Sequence, residues 1–265
     1  LVSLTMKEKV FVGIHSEWLS DAEMNRRIIL STIEDNIPEI AARGCKGNIE
    51  LFFSPSPALL CKTAIDRAHS WMPDFVAIWN IDFDIPRIVE TLESEGYALD
   101  EVFSDPKVPA KYKHFQYIEG PAVKESGDKI INLSPEDRWH VVECPASFYL
   151  IDAMCVYNII RRAQGKSKRY TLDYILDVNI KRNKLKFVFD DINNKTKGVE
   201  WHSIMQRNHR PEYVAYNVFD CIGVELLDEK TLDLSTQISV LSEVSEYDIF
   251  HSNPRQTSND LDEFC

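Results

Sequence analysis

Apolar and polar residues alternate over the first fourteen positions of the chain. Two β-prone runs, at residues 1–5 and 9–14, are joined by the polar Lys7 and Glu8, and this pattern predicts a β-hairpin. Short apolar runs at residues 49–53 and 74–79 predict two further strands, the second of them buried. The amino-terminal part of the chain is therefore expected to supply several strands of one sheet.

Apolar residues at helical spacing predict three helices among these strands. The first is expected to open with a capping box from Ser20 to Glu23, and the second with Ser56 followed by Pro57 in its first turn. The third follows the strand at residues 74–79 directly, and this strand–turn–helix order is typical of α/β proteins. The predicted helices cover about residues 21–36, 56–68 and 85–96.

The second half of the chain begins with a polar excursion at residues 103–137, rich in lysine and expected to be hairpin-like. An apolar strand at residues 148–152 then leads into helices reaching residue 162, at 172–178 and at 212–227. Residues 246–265 are rich in Ser, Asn, Pro, Gln and Asp, which is typical of a linker. The sequence thus predicts one α/β domain over residues 1–245, with an insertion at 103–137 and a linker after it.

Charge and hydropathy narrow the classes of function. The net charge of −12 excludes wrapping of duplex nucleic acid by a globally basic surface, although it leaves a local basic groove or an acidic metal site open. No apolar stretch approaches the ~20 residues that a membrane helix needs. The six cysteines show no paired spacing and no signal peptide opens the chain, so reduced thiols and a cytoplasmic location are expected.

Candidate chemistry lies first where the strand at residues 74–79 turns into a helix. Asn80, Asp82, Phe83 and Asp84 follow the carboxyl end of that strand, which is where open α/β sheets place their sites. Carboxylates there can bind a divalent cation. The alternative is that Asp82 or Asp84 only caps the next helix.

Tyr216 and Asp220 form a second candidate, four residues apart and so one turn apart on one helix face. A phenol next to a metal-binding carboxylate can orient an attacking water molecule. The alternative interpretation is a buried tyrosine with a satisfied hydroxyl beside a surface aspartate.

These residues, taken together, resemble a known family. Asn80 with Phe83 and Asp84 is similar to the second exonuclease motif, Asn-x2–3-Phe/Tyr-Asp, and Tyr216 with Asp220 to the third, Tyr-x3-Asp. The phrases between them resemble the connecting helices of the same family: residues 150–157, 170–175 and 184–186. The chain thus resembles the 3′–5′ proofreading exonuclease domain of family B DNA polymerases, most of all those of bacteriophages.

The resemblance implies a ribonuclease-H-like mixed β-sheet flanked by helices and a DEDD exonuclease of the tyrosine type. Such an enzyme hydrolyses the terminal phosphodiester of a DNA 3′ end with two Mg²⁺ or Mn²⁺ ions. Asp220 is expected to hold the first ion, Asp84 the second, and Tyr216 to orient the water. Asn80 and Phe83 are expected to position the terminal nucleotides of a single-stranded or frayed primer.

The family's first motif, Asp-x-Glu, is not found at its expected position, on a strand just before the amino-terminal hairpin. The literal match is Asp21-Ala22-Glu23, which is interpreted as a helix cap. The first strand is therefore expected to lie upstream of Leu1, to be disordered, or to be carried on another polypeptide. The palm phrases Asp-Thr-Asp-Ser and Ser-Leu-Tyr-Pro are absent from the sequence, so the expected partners are a palm on the same or a separate polypeptide and a sliding clamp.

Three hypotheses remain open from the sequence. The first is the proofreading exonuclease, and the second is a catalytically incomplete structural or DNA-holding module of a split or truncated polymerase. The third is a free-standing nuclease. Basic groups at residues 107–129 and 161–169 fit either DNA-backbone contacts or solvated loops, and the seven histidines show no metal-binding spacing.

Overall fold

The computed structural model describes residues 1–127, 129–192, 196 and 198–238. The expected linker at residues 246–265 lies outside these described residues. No helix within them is both long and apolar enough to cross a membrane.

The chain is a mixed α/β protein with small sheets. The strands are β1 (Val2–Met6), β2 (Lys9–His15), β3 (Ile49–Ser54), β4 (Phe75–Ile78), β5 (Gln116–Ile118), β6 (Val123–Ser126), β7 (Lys129–Asn132), β8 (Val141–Glu143) and β9 (Tyr149–Asp152). The helices are α1 (Glu23–Asn36), α2 (Pro38–Ala42), α3 (Pro57–Trp71), α4 (Ile81–Ser94), α5 (Leu99–Phe103), α6 (Ala153–Ile160), α7 (Leu172–Ile180), α8 (Val199–Asn208) and α9 (Arg210–Thr231). A π-helical segment follows at Asp233–Ile238.

The predicted amino-terminal hairpin is confirmed, because β1 and β2 pair antiparallel around a turn in which Lys7 has a φ of 54°. Strand β3 pairs parallel to β2, which gives the sheet order β1-β2-β3. Strands β4 and β9 form a second, parallel sheet in which Ile78 lies opposite Asp152. Within the described ranges, β1 and β4 each pair on one side only.

Both faces of β4 pack into the same two cores as the first sheet. Val76 and Ile78 lie with Leu4 in a core formed mainly by α3, α4 and α5. Ala77 and Trp79 lie instead in the core that β2 shares with α1, α7 and α9. Because alternate residues of a strand face opposite sides, the two sheets lie in one layer with helices on both sides.

The predicted excursion is confirmed as a hairpin, since β6 and β7 pair with each other and carry the exposed Val123, Ile130 and Ile131. It reaches farther than residue 137, because β5 pairs with β8 beyond that point. Glycine at position 120 allows the chain after β5 to lie against the segment that leads into β8, since a Cβ at Gly120 would lie 2.6 Å from the carbonyl oxygen of Trp139.

The expected capping box is wrong. Helix α1 begins at Glu23, and its N-cap residue Ala22 makes no side-chain cap. Asp21 instead pairs with Arg26, and Glu23 pairs with Arg27 one turn later at 2.8 Å. In contrast, the Ser56 cap of α3 is confirmed, since its hydroxyl accepts from the Leu59 N–H at 2.9 Å.

The cysteines of the described residues are free thiols: Cys45, Cys61, Cys144, Cys155 and Cys221. Burial raises the pKa of every one of them above the ordinary thiol value, that of Cys144 to about 11. These thiols are protonated near neutral pH, as expected of inert buried cysteines.

Candidate functional site

The first candidate cluster lies where β4 passes into α4. Asn80 is the N-cap residue, and its carbonyl accepts from the N–H groups of Phe83 and Asp84 at 3.0 and 2.9 Å. Asp82 and Asp84 lie within the first helical turn, so neither is the N-cap residue that the alternative interpretation expected. The partial positive charge of a helix amino terminus favours carboxylates at this place.

The second cluster lies on α9 and is completed by Lys184. The Lys184 ammonium lies 2.8 Å from Oδ2 of Asp220 and 3.3 Å from the hydroxyl of Tyr216. The other carboxylate oxygen of Asp220, Oδ1, is buried and has no hydrogen-bond partner among the described residues. Asp220 is therefore not the surface residue of the alternative interpretation.

Helix α9 is fixed on the first sheet close to these residues. The hydroxyl of Ser3 donates to Oδ1 of Asn217 at 2.6 Å, and the thiol of Cys221 donates to the Ser3 carbonyl at 3.5 Å. Since Asn217 and Cys221 immediately follow Tyr216 and Asp220 in sequence, these bonds to β1 set the rotation of the helix that carries the site.

Sequence analysis missed Lys184 as a site residue. It lies in an irregular segment after α7, where its backbone N–H donates to Oδ1 of Asp173 at 2.8 Å. Arg182, two residues earlier, donates to both carboxylate oxygens of Glu39 at 2.9 and 3.3 Å. These tertiary contacts, rather than a local motif, bring the ammonium to Asp220.

The charges of Asp220 and Lys184 both act on the pKa of Asp84, so the first cluster lies within electrostatic reach of the second. Burial, together with the charges of Asp82 and Asp220, raises the pKa of Asp84 to about 6, against the opposing effect of Lys184. Burial also raises the pKa of Asp220, although Lys184 acts in the opposite direction. Both carboxylates are thus held where a further positive charge is favourable.

The pKa values of Lys184 and Tyr216 follow from the same contacts. Burial alone lowers the pKa of Lys184, but Asp220 and Tyr216 outweigh it and the net shift is upward. Burial and Asp220 raise the pKa of Tyr216. At neutral pH the lysine is therefore charged and the phenol protonated, so the hydroxyl of Tyr216 is available as a hydrogen-bond donor.

Asn80 and Phe83 lie beside the carboxylates and face solvent. Phe83 is 62% exposed, and the guanidinium of Arg87 lies 5.8 Å from its ring centroid. An exposed aromatic ring with a cation over it is suited to contact a planar ligand.

The described residues supply two of the four carboxylates that the family resemblance implies. Asp21 and Glu23 are engaged with arginines at the start of α1. No group of three or more His, Cys, Asp or Glu side chains within the described ranges is arranged to hold a metal ion. The unpartnered Oδ1 of Asp220 nevertheless fits a cation, since carboxylate oxygens are the ligands that Mg²⁺ and Mn²⁺ favour.

A second buried polar cluster, also missed by sequence analysis, lies at the end of β9. Asp152 caps α6 by accepting from the Cys155 N–H at 2.9 Å, while its Oδ2 is buried without a partner among the described residues. The nearby His140 receives hydrogen bonds on Nδ1 from Tyr117 at 2.8 Å and from the Gly120 N–H at 3.4 Å. Its Nε2 is likewise buried and unpartnered in this part of the chain.

Replacing Asp152 by asparagine is expected to raise the free energy of unfolding by about 2 kcal/mol near pH 8. Burial raises the pKa of Asp152 to about 6, so the cost of its charge develops as the pH rises from about 4 to 6 and persists above. Asparagine keeps the cap without the charge. Urea unfolding at about pH 4 and pH 8 measures this gain in the free energy of unfolding, which should vanish near pH 4. The control is Asp177→Asn, at an exposed position, where no gain is expected.

The basic group at residues 161–169 is largely engaged within the chain. Arg161 forms two hydrogen bonds to Asp233 at 2.7 and 3.0 Å, and Arg162 and Lys166 both pair with Asp137. Three of the five basic side chains of this group are therefore paired with carboxylates of the same chain.

Comparison of the sequence with protein-family models finds no match, and comparison with curated proteins finds none either.

Proposed function

We propose that this chain is the 3′–5′ exonuclease portion of a family B DNA-directed DNA polymerase, acting on a DNA 3′ end. The observation that carries the proposal is that Asp220 and Tyr216 of α9 both contact Lys184, and that the charges of Asp220 and Lys184 act on the pKa of Asp84 in the first turn of α4. These carboxylates and this phenol are the ones that the second and third exonuclease motifs supply.

Asp84 and Asp220 would hold the Mg²⁺ or Mn²⁺ ions, with Oδ1 of Asp220 as the oxygen left open for a cation. Ions held there would supply a hydroxide at neutral pH and would stabilise the leaving 3′ oxygen. Tyr216, protonated and one turn from Asp220, hydrogen-bonds the attacking water and fixes its direction. Lys184 neutralises Asp220 and keeps both carboxylates from repelling an approaching phosphate.

Asn80 and Phe83 would bind the terminal nucleotides. The ring of Phe83 is exposed next to Asp84, so a base that has lost its partner can stack on it. The amide of Asn80 offers both donors and acceptors to sugar or base atoms. This arrangement suits a frayed or single-stranded end better than a paired one.

The layer of strands supports the proposed ribonuclease-H-like sheet. Strands β1 and β4 lie between the same two helical layers, and each has an unpaired edge within the described ranges. We propose that a strand bearing Asp-x-Glu, from the same or a separate polypeptide, pairs with these edges and supplies the other two carboxylates. The palm, the sliding clamp and a cytoplasmic location belong to the same proposal.

The test is hydrolysis of a 5′-labelled single-stranded DNA by the chain together with a polypeptide carrying the Asp-x-Glu strand, in the presence of Mg²⁺ or Mn²⁺. We expect a ladder of products shortened from the 3′ end and no cleavage of a circular strand. Because a cation and a proton compete for Asp84, the metal concentration that gives half-maximal rate should fall as the pH rises through about 6. Internal cleavage of the circle would favour the free-standing nuclease instead.

The second candidate is a catalytically incomplete DNA-holding module, favoured by the assembly of two carboxylates rather than four. It predicts that the chain binds single-stranded DNA and shows no metal-dependent hydrolysis. Hydrolysis that appears on addition of a polypeptide carrying Asp-x-Glu would decide for a split exonuclease.

A further inference from the structure

Four partly exposed aromatic rings contact one another in a series that starts at the candidate site. The ring of Trp201 lies 4.9 Å from that of Tyr216, and Tyr213 lies 6.1 Å from Tyr216 with the two ring planes within 8° of parallel. Trp18 meets Tyr213 edge-on at 6.2 Å. We call Tyr216, Trp201, Tyr213 and Trp18 the aromatic row.

The aromatic row is held in place by polar contacts at its ring edges. The hydroxyl of Tyr213 accepts from the amide of Gln206 at 3.1 Å and lies 3.0 Å from Nδ1 of His202. The indole N–H of Trp18 donates to the Gln206 carbonyl at 2.7 Å. Because these bonds fix the rings before any ligand arrives, little side-chain entropy is lost on binding.

The row lies at the border between core and surface. Trp18 and Tyr216 pack against the core on one side, whereas Trp201 and Tyr213 belong to none of the buried clusters, and all four rings are partly exposed. Singly exposed aromatic residues need no explanation, but four adjoining rings on one surface are typical of a binding site.

Cations stand at both ends of the row. The Lys184 ammonium lies 5.1 Å from the ring centroid of Tyr216, and the Arg210 guanidinium lies 5.9 Å from that of Trp18. The exposed Arg207 adds a third positive charge, while the acidic residues adjacent in sequence to rings of the row are Glu17, Glu200 and Glu212. Rings flanked by cations match a ligand made of flat bases linked by phosphates.

We propose that the aromatic row is a subsite for a single-stranded polynucleotide, on which the bases preceding the 3′ end stack in turn. The direction of the strand rests on the proposed function, since it places the 3′ end at Tyr216 and Asp220. Stacking accepts any base, because every base has a flat face. A duplex hides these faces and is therefore excluded from the row.

The test is binding of a fluorescein-labelled oligothymidylate of about 12 nucleotides to the full chain in EDTA, followed by anisotropy. EDTA prevents hydrolysis, so the measurement does not depend on an active site. Trp201→Leu, which keeps an apolar side chain without a flat face, is expected to weaken binding about tenfold. Trp71→Leu is the matched control, because Trp71 is also half-buried and has a cation, Lys9, 5.9 Å from its ring.

A tenfold loss of affinity in Trp201→Leu, with unchanged affinity in Trp71→Leu, supports the subsite. A similar loss of affinity in Tyr213→Leu shows that the subsite extends along the aromatic row. Equal affinities for the Trp201→Leu and Trp71→Leu variants, or equal affinity of the wild type for duplex DNA, overturn it. If the row binds DNA but no metal-dependent 3′ hydrolysis occurs, the proposed function fails and the subsite stands. If metal-dependent 3′ hydrolysis occurs and Trp201→Leu binds the oligonucleotide as tightly as the wild type, the subsite fails and the proposed function stands.

Discussion

Replacing Asp84 by asparagine is expected to lower the rate of metal-dependent 3′ hydrolysis by about 10³-fold. The carboxylate is a proposed ion ligand, and a lost metal contact removes several kcal/mol of charge stabilisation from the transition state, each 1.36 kcal/mol being tenfold in rate. Burial raises the pKa of Asp84, so asparagine also removes an unfavourable charge. The variant should therefore fold at least as stably as the wild type.

The matched control for this prediction is Asp82→Asn, which removes the same charge two residues earlier. Asp82 is exposed, and its charge contributes to the raised pKa of Asp84. We expect Asp82→Asn to keep the rate at high pH and to move the acid side of the pH profile to lower pH. Equal losses of hydrolysis rate in Asp84→Asn and Asp82→Asn would contradict metal binding by Asp84 and would show that only the local negative charge matters.

Replacing Lys184 by methionine is expected to lower the free energy of unfolding by about 2 kcal/mol near pH 8 in EDTA. The substitution leaves the largely buried Asp220 without its cation, and breaking one side of such a pair is costly. Loss of Lys184 raises the pKa of Asp220 further, so the destabilisation is present above that pKa and shrinks as the pH falls toward 4. Urea unfolding at both pH values measures it.

The double variant Lys184→Met, Asp220→Asn separates the pair from the packing of either side chain. We expect it to recover most of the lost stability, because neither charge is then left alone. Mn²⁺ should stabilise Lys184→Met more than the wild type, since the cation replaces the ammonium at Asp220. An unchanged urea midpoint in Lys184→Met would contradict the ion pair.

Local patterns predicted the elements that carry the site but not all of its residues. The alternation of residues 1–14 and the apolar run at residues 74–79 correctly predicted strands. Tyr216 and Asp220 share a helix face, as predicted, because four residues make about one helical turn. Lys184 escaped prediction, because its position depends on Asp173 and Arg182 through contacts that sequence spacing does not encode.

Long-range pairing and mixed composition explain the other differences. Strand β4 pairs with β9 across the whole excursion, and nothing local in either strand indicates the partner. Helix α8 escaped because its one fully buried residue is Met205, which leaves no apolar stripe to reveal a helix. Oδ2 of Asp152 lacks a hydrogen-bond partner among the described residues because of the residues that pack around it, and local sequence does not show which residues these are.

The protonated cysteines make the chain convenient for site-directed labelling. Alkylating reagents attack thiolates, and burial suppresses the thiolate of each of the five described cysteines. With Cys265 replaced by serine, a single cysteine introduced at Ile130, which is 73% exposed on β7, should react far ahead of the native thiols. A spin label or fluorophore there would report on the surroundings of the excursion hairpin before and after single-stranded DNA is added.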